Sequence, residues 1–115
     1  MRAMGHVLHP PAPMAVRLGY DAPLLAAIAG RLARAVMQDM RRVVKQQHGL
    51  ASVASLHAGV VTVVQRFRSD LGLYVHLHCL ATDGAYEEHS DGELRFLPAP
   101  PPTPERMTAV LAQVH

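Results

Sequence analysis

The stretch from Val60 to Ala81, VVTVVQRFRSDLGLYVHLHCLA, constrains this chain most. It reads as two β-rich runs around a short polar break at Arg68 to Gly72, with His76 and His78 one residue apart on the second run. Successive side chains of a strand point to opposite faces. Tyr74, His76, His78 and Leu80 therefore share one face, and Val75, Leu77 and Cys79 share the other. The second face is apolar and reads as core. The first carries two imidazoles that can converge on one point, as a metal ion requires. A hairpin of the two runs brings Gln65 opposite His76 and sets Phe67 against Tyr74, a favourable aromatic cross-strand pair. A slip of one residue would turn Gln65 into the core, where its amide would need buried partners.

Upstream, Asp21 is placed to cap a helix, Pro23 is tolerated in its first turn, and Gly49 is suited to end it. Between them Leu25, Ile28, Leu32, Val36, Met40 and Val43 recur at steps of three and four, one apolar stripe. Met37 and Met40 belong to that packing. Arg31, Arg34, Gln38, Arg41 and Lys45 recur with the same period on another face. Taken alone, such a face is the solvated side of an amphipathic helix. Downstream, Asp83-Gly84 reads as a tight turn, and Ala85–Glu88 with Leu94–Leu97 as a second hairpin around Ser90-Asp91-Gly92. Its acidic residues are expected in solvent, with Glu87 a candidate neighbour of the His face. PAPPPTP is a stiff connector, after which Thr103 caps a helix opened by Pro104. That helix reads as truncated by the end of the chain. The first 20 residues are interrupted by proline and read as extended, with His6 and His9 in solvent. His57 also reads as a surface residue.

The segment GVVTVVQRFRSDLGLYVHLHCLATDGAY, followed by GELRFLPAPPPTPERM, resembles the central part of the transposases of rolling-circle insertion sequences. These form the two-tyrosine branch of the HUH single-strand endonucleases, named for His, a hydrophobic residue and His, here His76, Leu77 and His78. The resemblance extends upstream through RLGYDAPLL and the helix after it, to about Val7. It implies that His76 and His78 hold a divalent cation, Mg²⁺ or Mn²⁺, against the scissile phosphate of single-stranded or hairpin DNA. There the ion withdraws charge while a tyrosine attacks. Gln65 matches the glutamine of the family's QRF motif, and the hairpin register makes it the third ligand. In this setting the basic helix face, Arg31, Arg34, Arg41 and Lys45, joined by Arg66, becomes a candidate for DNA phosphates, which position a strand without reading it.

Two features depart from the family pattern: no cysteine-rich zinc-binding region opens the chain, and Tyr20, Tyr74 and Tyr86 do not form the family's tyrosine pair. The expectation is therefore a transposase fragment, with an extended segment at 1–20, a partial HUH domain at 21–97 and a connector with the start of a helix at 98–115. Its fold class is α+β: an antiparallel sheet carrying the HUH motif, packed through Val75, Leu77 and Cys79 against the long helix. The chain would bind DNA but lack the nucleophiles to cut it. A non-catalytic metal-binding β-domain such as a cupin competes. That pattern wants an acidic ligand three to five residues after the second His, and only Asp83 is on offer. A nucleotide hydrolase with His-x-His-x-His fails at Leu80, and an inert transposase remnant is the third alternative.

Composition sets the outer bounds. A chain of 115 residues fits one small domain. No apolar run approaches the ~20 residues of a membrane span, and HVLHPPAPMAV is too broken for a secretory signal. A single cysteine, Cys79, forms no internal disulfide and reads as a buried hydrophobe, consistent with a cytoplasmic protein. The formal charge of +2 is small but unevenly spread, basic on the first helix and acidic after the His pair.

Overall fold

The computed structural model describes residues 3–8, 21–67 and 73–114, with side chains over 21–65 and 77–114. In chain order the described elements are β1 (Ala3–Leu8), α1 (Ala22–His48), β2 (Leu56–His57), β3 (Val60–Phe67), β4 (Leu73–Thr82), β5 (Gly84–Glu88), β6 (Leu94–Pro98) and α2 (Pro104–Ala112). The strands form two antiparallel three-stranded sheets, ordered β1-β4-β3 and β2-β5-β6. This is the α+β class expected. It is not the double-sheet jelly roll of a cupin.

Helix α1 begins and ends on the residues that the sequence marks. Asp21 Oδ1 accepts the Leu24 N–H at 3.0 Å. Gly49 closes the helix at φ 65°, in the left-handed region that costs glycine no Cβ clash. The buried side chains are Leu25, Leu32, Ala35, Val36, Asp39, Met40, Val43 and Val44, so the apolar stripe is the one expected, widened by Ala35 and Val44. Its N-terminal half packs Leu25, Leu32, Ala35 and Val36 on Leu77, Cys79 and Ala81 of β4, together with Val110 and Val114 from the C-terminal segment. Its C-terminal half packs Met40 and Val44 on Leu56 and Ala85 of the second sheet. One helix thus roofs both sheets, and each sheet owes its core to a different half of it.

The hairpin of β3 and β4 has the expected register at its centre, with Val63 opposite His78 and Gln65 opposite His76. Beyond Gln65 the register shifts at a bulge, so Phe67 pairs with Leu73 and not with Tyr74. A bulge sets two residues of one strand against one of the other, which is how the aromatic pairing is lost. Cys79 is fully buried on the core side, beside Thr62, whose hydroxyl donates to its sulfur at 3.7 Å. Burial pushes the thiol pKa up, and the hydrogen bond from Thr62 offsets this only in part.

Other parts of the chain depart from expectation. Residues 3–8, read as an extended segment, form β1 on the free side of β4, with His6 opposite Cys79 and Val7 opposite His78. Residues 82–84 are not a hairpin turn, because β4 and β5 lie in different sheets. Gly84 opens β5 opposite Pro98, and Ala99 donates its N–H back to the Asp83 carbonyl at 2.9 Å. Glu87 lies on this second sheet, 2.9 Å from His89, and not on the His76/His78 strand. The hairpin of β5 and β6 forms as expected, with Gly92 at φ 84° in its turn and an edge-on contact of Tyr86 with Phe96.

Helix α2 starts at its Thr103 cap, whose hydroxyl accepts the Arg106 N–H at 3.2 Å. It is tied to α1 by a buried ion pair. Arg106 Nη2 donates to Asp39 Oδ2 at 2.7 Å and Arg106 Nε to Oδ1 at 3.4 Å, while Arg42 adds a 2.8 Å bond to Oδ1. The segment read as a connector and helix start is therefore part of the core packing.

Candidate functional site

Residues directly opposite in an antiparallel pair share a face, as do residues two apart on one strand. The observed register gathers Val61, Val63 and Gln65 of β3 with His78 and Leu80 of β4 on the side of the first sheet that turns away from α1. Exposure agrees with this division: Val61 is 61%, Val63 49% and Leu80 44% exposed, whereas Leu77, Cys79 and Ala81 between them are buried. His78 thus stands on the open face, away from the helix, as the alternation of VHLHC requires.

Two of the candidate ligands meet there. His78 Nε2 lies 3.2 Å from Gln65 Oε1. Gln65 is one pairing step along from Val63, so its side chain reaches diagonally to His78. The spacing suits a cation as well as a shared proton. Ligand bonds of ~2.1 Å at right angles in an octahedral shell put neighbouring donor atoms ~3.0 Å apart. An imidazole nitrogen with an amide oxygen is a mixed donor set suited to small divalent ions. His76 sits opposite Gln65 in the ladder, and its side chain lies outside the described residues. Among the described residues no three His, Cys, Asp or Glu side chains converge as metal ligands, so the candidate site rests on the imidazole and amide pair and on the register of His76.

The basic residues are placed elsewhere. Arg31 and Arg34 are exposed, Lys45 is half-buried, and all lie on the side of α1 opposite its buried stripe. That stripe is what rests on the sheet, so this face and the His78 face form opposite outer surfaces of the packed layers. One short segment of DNA cannot touch both. Arg41 is partly withdrawn from solvent: its Nη2 donates to the Val53 carbonyl at 2.7 Å, fastening α1 to the loop before β2. Arg42, not counted among the candidates, is held by Asp39. Arg66 follows Gln65 on β3, next to the candidate ligands in the chain, and its side chain lies outside the described residues.

Sequence reasoning missed two His–Glu pairs on the second sheet: His57 Nε2 to Glu88 Oε2 at 3.0 Å, and His89 Nε2 to Glu87 Oε1 at 2.9 Å. Alternation along GAYEEH hints that Glu87 and Glu88 face opposite ways, but the partner of Glu88 comes from β2, 31 positions earlier, and no local pattern announces it.

Among curated proteins and among solved structures, nothing matches the chain. No helix among the described residues is long and apolar enough to cross a membrane. A family model does match: the one described as "Putative transposase" covers residues 59–115, just under half of the chain. The matched span holds β3 with Gln65, β4 with His76 and His78, the β5–β6 hairpin and α2. It does not reach β1 or α1, so it does not cover the upstream part of the resemblance. Residues 59–115 are thus similar to that transposase family, and the face bearing His78 and Gln65 lies within the similar span.

Proposed function

We propose that this chain is the DNA-holding part of a transposase acting on single-stranded DNA in rolling-circle transposition. Its working surface is the open face of the first sheet, where His76, His78 and Gln65 hold Mg²⁺ or Mn²⁺. The 3.2 Å approach of His78 Nε2 to Gln65 Oε1 on that face, inside the transposase-matched span, carries this reading. The imidazoles contribute nitrogen lone pairs and must be neutral, so binding weakens on acidification. Gln65 contributes a neutral oxygen and keeps the face open to an anionic strand. When bound, the cation supplies Lewis acidity toward a phosphoryl oxygen.

The tyrosines do not complete a cleavage site. Tyr86 is on the second sheet against Phe96, and Tyr20 and Tyr74 do not make a pair in sequence. A nucleophile held in line is worth on the order of 7–11 kcal/mol in favourable cases, which an unaligned tyrosine forfeits. Binding without cutting is the expected behaviour of these 115 residues.

Incubation with hairpin-tipped single-stranded DNA and Mn²⁺ tests this. Fluorescence anisotropy should show binding that falls steeply as salt rises, through counterion release, with no denaturant-stable adduct on a gel. Because Arg31 and Arg34 face away from His78, replacing both with alanine should leave most of the binding in place. A covalent adduct lost in Tyr74→Phe or Tyr86→Phe would overturn the non-cleaving assignment. Absence of salt-sensitive binding would overturn the DNA-holding role and favour an inert remnant.

A further inference from the structure

Strand β3 is an edge strand of its sheet, hydrogen-bonded on one side, to β4, among the described residues. Proteins protect such edges with charges, proline, bulges or short length, because an unpaired row of N–H and C=O groups is a template for another strand. On β3 these devices are confined to one end, the charge of Arg66 and the bulge beyond Gln65. Residues 60–64, VVTVV, contain no charge, glycine or proline, and Val61 and Val63 stand well exposed.

The same five residues read identically in both directions. When an antiparallel strand of like sequence is laid against them about a two-fold axis through Thr62, Val61 meets Val63, Val63 meets Val61, Val60 meets Val64, and Thr62 meets Thr62. Every position then faces its own kind or another valine, and both β-branched pairs and Thr–Thr pairs are favourable across strands. A two-fold contact of this kind is self-complementary and closes at two copies. We infer that β3 pairs with β3 of a second copy of this chain, joining two three-stranded sheets into one six-stranded sheet. Other edges are poorer templates: β1 is interrupted by Gly5 and is not self-complementary in sequence, β2 has two residues, and β6 brings Arg95 and a terminal proline.

The inference is independent of the DNA reading, yet it has a geometric consequence for it. Neighbouring strands lie ~4.8 Å apart, so the two β4 strands stand ~14 Å apart with both His78 side chains on one continuous face. A five-residue contact is small beside the ~1,200–2,000 Å² of stable interfaces, so the association is expected to be reversible and concentration-dependent.

Sedimentation equilibrium of the purified chain over a range of concentrations, without DNA or metal, tests the pairing. The wild-type chain should show a monomer–dimer equilibrium. A Val61→Lys/Val63→Lys variant, with like charges opposed across the axis, should associate about ten-fold more weakly or not at all. Its circular dichroism should be unchanged, since both positions are exposed. Val61→Glu/Val63→Glu should behave alike, and mixing the two variants should restore the dimer as a heterodimer. A wild-type chain monomeric throughout, a dimer that survives the double lysine variant, or a mixture that stays monomeric would overturn the pairing.

Discussion

Replacing Asp39 with alanine should lower the unfolding free energy by about 3–5 kcal/mol, the range for breaking one side of a buried ion pair. The side chain of Asp39 is 6% exposed and that of Arg106 14%, so water cannot take over the lost contacts. Removing the carboxylate leaves the Arg106 guanidinium with the Pro100 carbonyl, at 3.4 Å, and takes away the ion pair that ties α2 to α1. Arg42 is half exposed and turns to solvent at little cost. Urea unfolding should show the loss as a lower midpoint, and Asp39→Leu with Arg106→Met should recover much of it, because that exchange removes both buried charges together. A loss below about 1 kcal/mol in Asp39→Ala would mean that the pair does not hold the two helices together.

The second large effect is expected at Gly84. A methyl group added there would run into the Leu97 carbonyl oxygen and come within 2.8 Å of the Phe96 ring and 2.9 Å of Pro98 Cα. Two of these three obstacles are backbone on the paired strand β6, so a rotamer change cannot relieve them. Gly84→Ala should therefore cost about 3 kcal/mol or more, at or above the upper end for overpacking, and loosen the β5–β6 hairpin. Gly59→Ala is the control, since its added methyl would meet only Thr82 Cγ2 at an ordinary 3.5 Å. Thermal unfolding that places both variants within a degree or two of wild type would contradict the close approach at Gly84.

These two residues mark where the sequence stops being legible. The periodic signals were sufficient for α1, its caps, the β3–β4 and β5–β6 hairpins and the core side of β4, because period and capping chemistry are local. The His78 face followed from alternation alone; the hairpin register puts Gln65 opposite His76, and the diagonal contact of Gln65 with His78 is not given by it. What could not be read is non-local. Asp39 looks like an ordinary polar residue in a helix until Arg106 arrives from 67 positions away. Asp-Gly at 83–84 looks like a turn, whereas its glycine serves the close passage of another strand. AMGHVL has no strand pattern of its own and becomes β1 only because β4 offers it an edge. The bulge at Gln65/Phe67 defeated the Phe67–Tyr74 pairing for the same reason: one extra residue in a ladder has no signature in composition. The basic stripe of α1 was correctly placed on one helix face, but which way that face points relative to His78 depends on layering.

The proposed divalent-ion site is the open face of β3 and β4, with His76, His78 and Gln65 as its ligands. Mn²⁺ titration followed by electron paramagnetic resonance counts free ion directly, and it needs neither DNA nor turnover. The wild-type chain should take up one Mn²⁺ per chain near neutral pH, weakly, because water must complete the shell. The His76→Ala/His78→Ala variant should take up none while keeping its circular dichroism, since His78 stands on the open face away from the core. Undiminished Mn²⁺ uptake by that double variant would contradict the account and move the site to other histidines of the chain.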